Sequence, residues 1–263
     1  MQKILIITLI LLITAPAFAA TYLLQDKEKN SNYSISPISI ETEKEKYYHS
    51  QEFYNRVISL TDAEVDTYFD SLSKVYNYTF TEYKIIASKN DLELTISSLY
   101  QSIARLDSIA NSKAYHIIKY PKEDILSYHY FFSYSNLANC YYKMHAYEMA
   151  KSYFDKAKNY MDDITNLQRF ALFGASAWNN YELKLYTNTV DDITMALSLA
   201  EQDEKIEKLD KYMMYRIRGN CYLANNQKQL TLNDYYKAQE QCKIHYSASC
   251  KDMPMIIRII EGK

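Results

Sequence analysis

The residues best suited to metal or redox chemistry lie near the C-terminus. Cys242, His245 and Cys250 form a Cys-x2-His-x4-Cys pattern. Cysteine and histidine are common ligands of structural zinc, but such a site takes four ligands and no fourth is evident in the sequence. In an oxidising compartment, Cys242 and Cys250 are close enough in the chain to close a short loop. The sequence therefore predicts no metal site here, and it leaves open a possible disulfide or two free thiols.

No other group of residues has a spacing typical of catalysis. Cys140 and Cys221 each precede a tyrosine, at a place that suits a small buried side chain, so we expect buried free thiols. The histidines show no pair at the spacing of two ligands on one helix, and no nucleophile is recognisable beside a base. We therefore predict no catalytic residue, no cofactor and no enzymatic activity. The five histidines are His49, His116, His129, His145 and His245.

The composition favours helices and disfavours a nucleic-acid partner. The 263 residues include only 3 glycines and 4 prolines, which leaves little material for tight hairpins or phosphate-binding loops. The formal net charge is −2, and the basic residues form no block that could follow a phosphate backbone. Tyrosine is abundant at 28 residues, and its ring with a polar tip suits both helix packing and contact surfaces.

The N-terminus has the pattern of a secretory signal peptide. Lys3 precedes an apolar run over residues 4–13, and Ala17 and Ala19 form a small-residue cleavage motif. A membrane anchor would need about 20 apolar residues, and this run is shorter. We expect residues 1–19 to be removed, leaving no transmembrane segment in an exported chain that most simply belongs in a bacterial periplasm; secretion from the cell is the alternative.

The next segments differ in character. Residues 20–60 are polar and are predicted to be partly flexible. At Thr61 the pattern changes, because Thr61 and Glu64 form a capping box that is followed by apolar residues at helical spacing. A second amphipathic stripe follows residue 90. We therefore interpret residues 61–120 as an N-terminal helical hairpin or a degenerate repeat.

Residues 121–249 repeat themselves. An offset of 39 residues takes Ala138 to Ala177, and a further offset of 42 takes Ala177 to Gly219. A period of this size is typical of stacked helical repeats. The sequence therefore predicts about three helix hairpins in this region.

These hairpins resemble the tetratricopeptide repeat family, whose pattern is aromatic-x2-Leu-Gly-x2-Tyr, then Ala-x3-Phe, then a small residue. The first copy matches at every spacing, the middle copy is degenerate and could also be read in a register based on Gly174, and the last departs at Arg218, where the family has an apolar residue. The three copies are Tyr134, Leu137, Ala138, Tyr141, Ala150, Phe154 and Ala157; Phe173, Ser176, Ala177, Asn180, Thr189, Ile193 and Ala196; and Tyr215, Arg218, Gly219, Tyr222, Thr231, Tyr235 and Ala238.

The resemblance implies an all-α fold of stacked antiparallel helix hairpins in a short right-handed solenoid. Members of the family generally bind a peptide or a protein partner on the inner face of each repeat's first helix. By resemblance that face includes Phe132, Asn139, Tyr142, Lys143, Trp178, Tyr181, Glu182, Arg216, Asn220 and Leu223. Residues 250–263 are predicted to form a capping helix or a tail, and a partner-binding segment is the alternative.

The expected function is that of a non-enzymatic, protein-binding scaffold or adaptor whose partner the sequence does not identify. The alternative is a regulatory or ligand-sensing component of an envelope signalling system. An enzyme with a site in the N-terminal third is a further possibility, and the missing catalytic spacing counts against it.

Overall fold

A computed structural model of the chain describes residue 47 and residues 50–82, 92–119, 125–162, 164–246 and 252–262. The predicted signal peptide, most of the segment 20–60 and Cys250 lie outside these residues. The described chain is all-helical and contains no strand. Its helices are α1 (Gln51–Val57), α2 (Asp62–Glu82), α3 (Leu92–Ala110), α4 (Lys113–Ile118), α5 (Ile125–Lys143), α6 (Tyr147–Lys158), α7 (Asn166–Glu182), α8 (Tyr186–Gln202), α9 (Glu204–Glu207), α10 (Tyr212–Ala224), α11 (Lys228–Tyr246) and α12 (Asp252–Glu261).

The described residues belong to two compact units. The first unit takes its residues from Met1–Lys74 and Asp107–Asp124, and the second from Val75–Leu106 and Ile125–Lys263. Helices α2 and α3 each contribute residues to both units.

The first unit is held together by capped helices around a small apolar cluster. Thr61 and Glu64 form the predicted capping box at the start of α2: the Thr61 amide donates to the Glu64 carboxylate at 2.7 Å, and the Glu64 amide donates to the Thr61 hydroxyl at 3.2 Å. Helices α1 and α4 are in contact. The Arg56 guanidinium donates to the His116 carbonyl at 2.8 Å. Phe53 is buried in the apolar cluster.

The second unit is built from three pairs of sequence-adjacent helices. Helix α5 packs on α6, α7 on α8, and α10 on α11. Successive pairs touch because α6 contacts α7 and α8 contacts α10, and α12 packs against α11. Leu99 of α3 joins the apolar core of the first pair, and Met253 and Ile257 of α12 join that of the last. Each end of the row of pairs is therefore covered by a further helix.

The turn inside each pair has the same backbone geometry. His145, Lys184 and Asn226 adopt left-handed conformations with φ of 59°, 60° and 57°. In the middle turn, the Lys184 amide donates to the Tyr181 carbonyl and the Leu185 amide to the Asn180 carbonyl, both at 2.9 Å, which is the Schellman arrangement. The other two turns have equivalent bonds. The three left-handed residues are separated by 39 and then 42 residues, the same offsets that relate the sequence copies.

Small residues lie at the close contacts inside each pair. The two helices of a pair approach each other at alanine, glycine or threonine residues, and larger aromatic and aliphatic side chains fill the space around them. The two threonines, Thr189 and Thr231, return their hydroxyls to the carbonyl four residues earlier, at 3.0 and 3.1 Å, so no polar group is stranded. All nine positions are buried: Ala138, Ala150 and Ala157; Ala177, Thr189 and Ala196; and Gly219, Thr231 and Ala238.

Two glycines allow this close approach to be tested by matched substitutions. A Cβ atom at Gly219 would lie 2.6 Å from Cε1 of the Tyr235 ring, whereas one at Gly174 would meet only the flexible end of Met214, at 2.9 Å. We expect Gly219→Ala to lower the free energy of unfolding by about 1–3 kcal/mol, because the ring must move. Gly174→Ala should leave it unchanged or raise it by up to about 1 kcal/mol, because alanine favours a helix. Denaturant titration measures both, and equal stability of the two variants would contradict this packing.

The left-handed turn residues carry a conformational cost that glycine would remove. Lys184 is exposed and has a φ of 60°, which costs an L-residue roughly 1–2 kcal/mol. Part of the gain from glycine is lost to its larger unfolded-state entropy. We therefore expect Lys184→Gly to raise the free energy of unfolding by about 0.5–1 kcal/mol and Lys184→Ala to give no gain. A thermal midpoint that rises equally in both variants would show that the turn geometry is not the cause.

Candidate functional site

Most of the predicted contact residues fall into two rows that cross the first helices of the three pairs. One row consists of Asn139, Trp178 and Asn220, and the other of Tyr142, Tyr181 and Leu223, with the same offsets of 39 and 42 within each row. The members are half-buried, apart from Leu223, which is 44% exposed. These rows therefore combine fixed side chains with accessible ring and amide surface.

Neighbouring first helices are linked through these rows. The Asn220 amide donates to the Tyr181 hydroxyl at 3.1 Å, and the Tyr235 hydroxyl donates to the Asn220 carbonyl oxygen at 2.7 Å. Tyr142 packs on Tyr147 with ring centroids 5.6 Å apart. Burial raises the pKa of the Tyr142 hydroxyl, and the negative charge of Glu182 on the next first helix raises it further. The structure thus brings Tyr142 near Glu182 and Tyr181 near Asn220.

The remaining predicted contact residues differ in how firmly they are held. Lys143 and Glu182 are exposed at the ends of α5 and α7. Phe132 packs on Tyr128 with ring centroids 4.6 Å apart. Arg216 donates to the Tyr212 hydroxyl at 3.0 Å and forms an ion pair with Asp252 of α12 at 3.2 Å. Arg216 is therefore anchored to the C-terminal helix.

A buried polar network explains why the middle copy looks degenerate. Asp192 of α8 is only 7% exposed and accepts three hydrogen bonds. Ser176 and Asn180, which replace the expected leucine and tyrosine, donate to its Oδ2 atom at 2.7 and 2.9 Å. Lys158, the last residue of α6, donates to Oδ1 at 2.7 Å. The middle pair has thus exchanged an apolar contact for a satisfied carboxylate that also joins it to the preceding pair.

The same exchange occurs in the last pair. Arg218 stands where the family pattern has leucine, and it donates two hydrogen bonds to the Asp234 carboxylate, at 2.7 and 2.8 Å. A third bond reaches the Thr194 hydroxyl on α8 at 3.0 Å. Asp234 and Asp192 are equivalent positions 42 residues apart. Sequence reasoning noted Arg218 as a departure and missed both aspartates, because spacing along one helix does not show which side chain of the facing helix will meet it.

The cysteines provide no reactive thiol among the described residues. Neither Cys140 nor Cys221 forms a disulfide, and both are fully buried. Burial raises the pKa of the Cys221 thiol to about 11, so the thiol stays protonated at neutral pH. Cys242 is buried and disulfide-bonded. Its predicted partner, Cys250, lies outside the described residues, so the pairing stays a prediction.

Two small cavities are present among the described residues. One cavity of about 130 Å³ is lined by Tyr215, Arg218 and Lys237, and one of about 290 Å³ by Tyr68 and Lys113. Both fall below the usual range for ligand pockets, about 300–1,000 Å³. The described residues include no cluster of metal-ligating side chains. Within the same residues, no helix combines the length and the apolar character required to cross a membrane.

Comparison with known proteins assigns no family. No protein-family model matches the sequence, and no curated protein matches it either.

The pairing of Arg218 with Asp234 can be tested by a double-mutant cycle. The two side chains are 12% and 4% exposed, so removal of one leaves a buried charge without its partner. We expect Arg218→Leu to lower the free energy of unfolding by about 3–5 kcal/mol. The double variant Arg218→Leu with Asp234→Leu should recover most of this loss, since no charge remains buried. Denaturant titration gives the coupling energy, and strictly additive losses would contradict the pairing.

Proposed function

We propose that this protein is a non-enzymatic scaffold or adaptor that binds a protein segment on tetratricopeptide-like repeats. In this proposal the three helix pairs α5–α6, α7–α8 and α10–α11 are the repeats, stacked in a short right-handed solenoid. The left-handed turns, the buried small residues and the sequence copies all repeat with the same two offsets, 39 and then 42 residues, and this agreement supports the proposal. Helix α12 then serves as the terminal cap that repeat arrays need.

The observation that carries the binding proposal is the pair of rows across α5, α7 and α10. In a solenoid of this type, equivalent positions on successive first helices line one concave surface. The rows supply aromatic rings, asparagine amides and few charges, a mixture suited to the backbone and side chains of a peptide. Tyr181 and Asn220 support each other through a hydrogen bond, so part of the surface is organised before a partner binds.

Charge favours a protein partner over nucleic acid or an anionic membrane. The chain has a formal net charge of −2, and Lys143 and Glu182 bring opposite charges to the proposed groove. Affinity for a phosphate backbone or for anionic lipid requires a basic excess. We therefore propose moderate dependence of binding on salt.

The proposed location is outside the cytoplasm, most simply the bacterial periplasm. This part rests on the sequence alone, through the signal-peptide pattern of residues 1–19. A free carboxyl or amino group of the partner is not required, because the rows present side chains along three helices.

The groove can be tested with peptides selected against the intact protein from a display library. Trp178 is the chain's single tryptophan, so its fluorescence directly reports occupancy of the groove. We expect the selected peptides to change this emission and to bind the double variant Tyr142→Ala with Asn139→Ala at least tenfold more weakly, about 1.4 kcal/mol. Trp178 itself is retained in this variant as the reporter.

A matched control separates loss of the groove from general loss of surface. Tyr54→Ala with Met195→Ala removes two side chains that are 43% and 49% exposed and lie outside the rows. This control should bind like the wild type, and all variants should keep the helical circular-dichroism signal. If the groove variant folds and binds as tightly as the wild type, the proposed surface is wrong. If it unfolds, these side chains belong to the core.

A further inference from the structure

A column of stacked tyrosines runs along the first helix pair. The Tyr141 and Tyr153 rings are nearly parallel, at 5° with centroids 5.5 Å apart. The column continues from Tyr153 to Tyr134 at 6.2 Å and from Tyr134 to Tyr160 at 5.8 Å. Tyr130 stacks on both Tyr160, at 4.8 Å, and Tyr134, at 6.0 Å. Five phenol rings from α5, α6 and the turn after α6 thus form one group of offset-stacked pairs.

A sixth tyrosine connects one end of this column to solvent. The Tyr100 hydroxyl of α3 is hydrogen-bonded to the Tyr153 hydroxyl at 2.6 Å and to the Tyr141 hydroxyl at 2.9 Å. Tyr100 is 40% exposed, whereas Tyr153 is 7% exposed. The phenol oxygens of the stacked pair therefore meet at one accessible hydroxyl group.

Packing of the helix pairs does not require this column. The positions equivalent to Tyr153 in the other two pairs are Asp192 and Asp234, which accept hydrogen bonds from polar partners. The position equivalent to Tyr141 in the middle pair is Asn180. Because the other pairs fold without stacked phenols at these places, the column is a special feature of the first pair.

The electrostatics of the stacked pair favour loss of an electron together with a proton. Burial raises the pKa of the Tyr141 hydroxyl to about 12 and also raises that of Tyr100, so both phenols are neutral at neutral pH. The Lys156 ammonium lies 4.9 Å from the Tyr153 ring centroid, and its charge disfavours a ring radical cation. The hydroxyl chain through Tyr100 provides a route by which the proton can leave.

We propose that this cluster is a site of one-electron oxidation, with Tyr100 as the entry point and a carbon–carbon bond between Tyr141 and Tyr153 as the product. The two rings are nearly parallel, and both phenol oxygens bond to the Tyr100 hydroxyl, which keeps the two phenoxyl radicals side by side for coupling. The oxidant is any soluble one-electron acceptor that can reach Tyr100. This inference does not depend on the proposed binding function.

Tyr141 and Tyr153 each give one electron to the oxidant and one phenolic proton, through the Tyr100 hydroxyl, to water. The two phenoxyl radicals join through ring carbons ortho to their oxygens. The hydrogen on each joined carbon then moves to the phenol oxygen and restores both aromatic rings. Two equivalents of oxidant are reduced, and the protein loses two hydrogen atoms and gains one covalent link between α5 and α6.

The test uses the intact protein and photogenerated tris(bipyridine)ruthenium(III) as the oxidant. We expect dityrosine fluorescence in the monomer, and a trypsin digest in which the peptide Ser152–Lys156 is joined to the peptide that ends at Lys143. Tyr153 is the only tyrosine of the first peptide, so its part in the link is unambiguous, and fragmentation identifies the second tyrosine. Tyr153→Phe should abolish this linked peptide.

The entry role is tested by removal of a single oxygen atom. Tyr100→Phe keeps the ring and should reduce the yield of the linked peptide at least fivefold. Tyr236→Phe is the control, because Tyr236 is 47% exposed and lies on α11, and it should leave the yield unchanged. Circular dichroism and the thermal midpoint establish that each variant is folded. An unchanged yield in Tyr100→Phe overturns the entry role. Links made mainly between chains or at other tyrosines, or oxidation of methionine without dityrosine, overturn the proposal.

Discussion

The second unit depends on one constraint, which is that the two helices of each pair must approach closely at small side chains. Each of these contacts in the three pairs is an alanine, a glycine or a threonine, and every one of these residues is buried. Gly219 shows how little room there is, because even a methyl group would overlap the Tyr235 ring. The close approach sets the positions of the surrounding aromatic residues, and through them the surface of the first helices.

Polar side chains beside the close contacts are paired with aspartates on the facing helix. The middle and last pairs place Ser176 and Arg218 where the first pair has Leu137, and each polar side chain donates to an aspartate on the facing helix. A buried carboxylate without such donors would cost several kcal/mol. The hydrogen bonds from Lys158 to Asp192 and from Arg218 to Thr194 also reach neighbouring pairs. The polar exchanges therefore join successive pairs, whereas the stacked tyrosines lie within the first pair.

This division of roles explains why one type of pair can support different surfaces. The small residues and the turns repeat with fixed offsets, so the first helices keep the same relation to their partners. Side chains next to the small residues on each first helix, at the border between the core and the solvent, vary between amide, aromatic and aliphatic types. The half-buried state of Tyr142, Trp178 and Tyr181 follows from this position between the core and the solvent.

The sequence by itself determined the helical class, the repeat offsets and the positions of the small residues, because these follow from local periodicity and composition. Asn226 suits the left-handed conformation of its turn, since asparagine tolerates that conformation. His145 and Lys184 adopt the same conformation without such a signal, because the two Schellman hydrogen bonds of the turn outweigh their backbone strain. The contact residues were named only through a family resemblance.

Tertiary structure alone decided which polar residues meet. Asp192 of α8 receives donors from two other helices, α6 and α7, and Tyr100 of α3 meets Tyr141 of α5 and Tyr153 of α6. It also decided that Arg216 is tied to Asp252 of the C-terminal helix. Periodicity along one helix shows which face a residue occupies, but it does not show which side chain of another helix will face it. That pairing depends on the distance and angle between helices, which the packed small residues set.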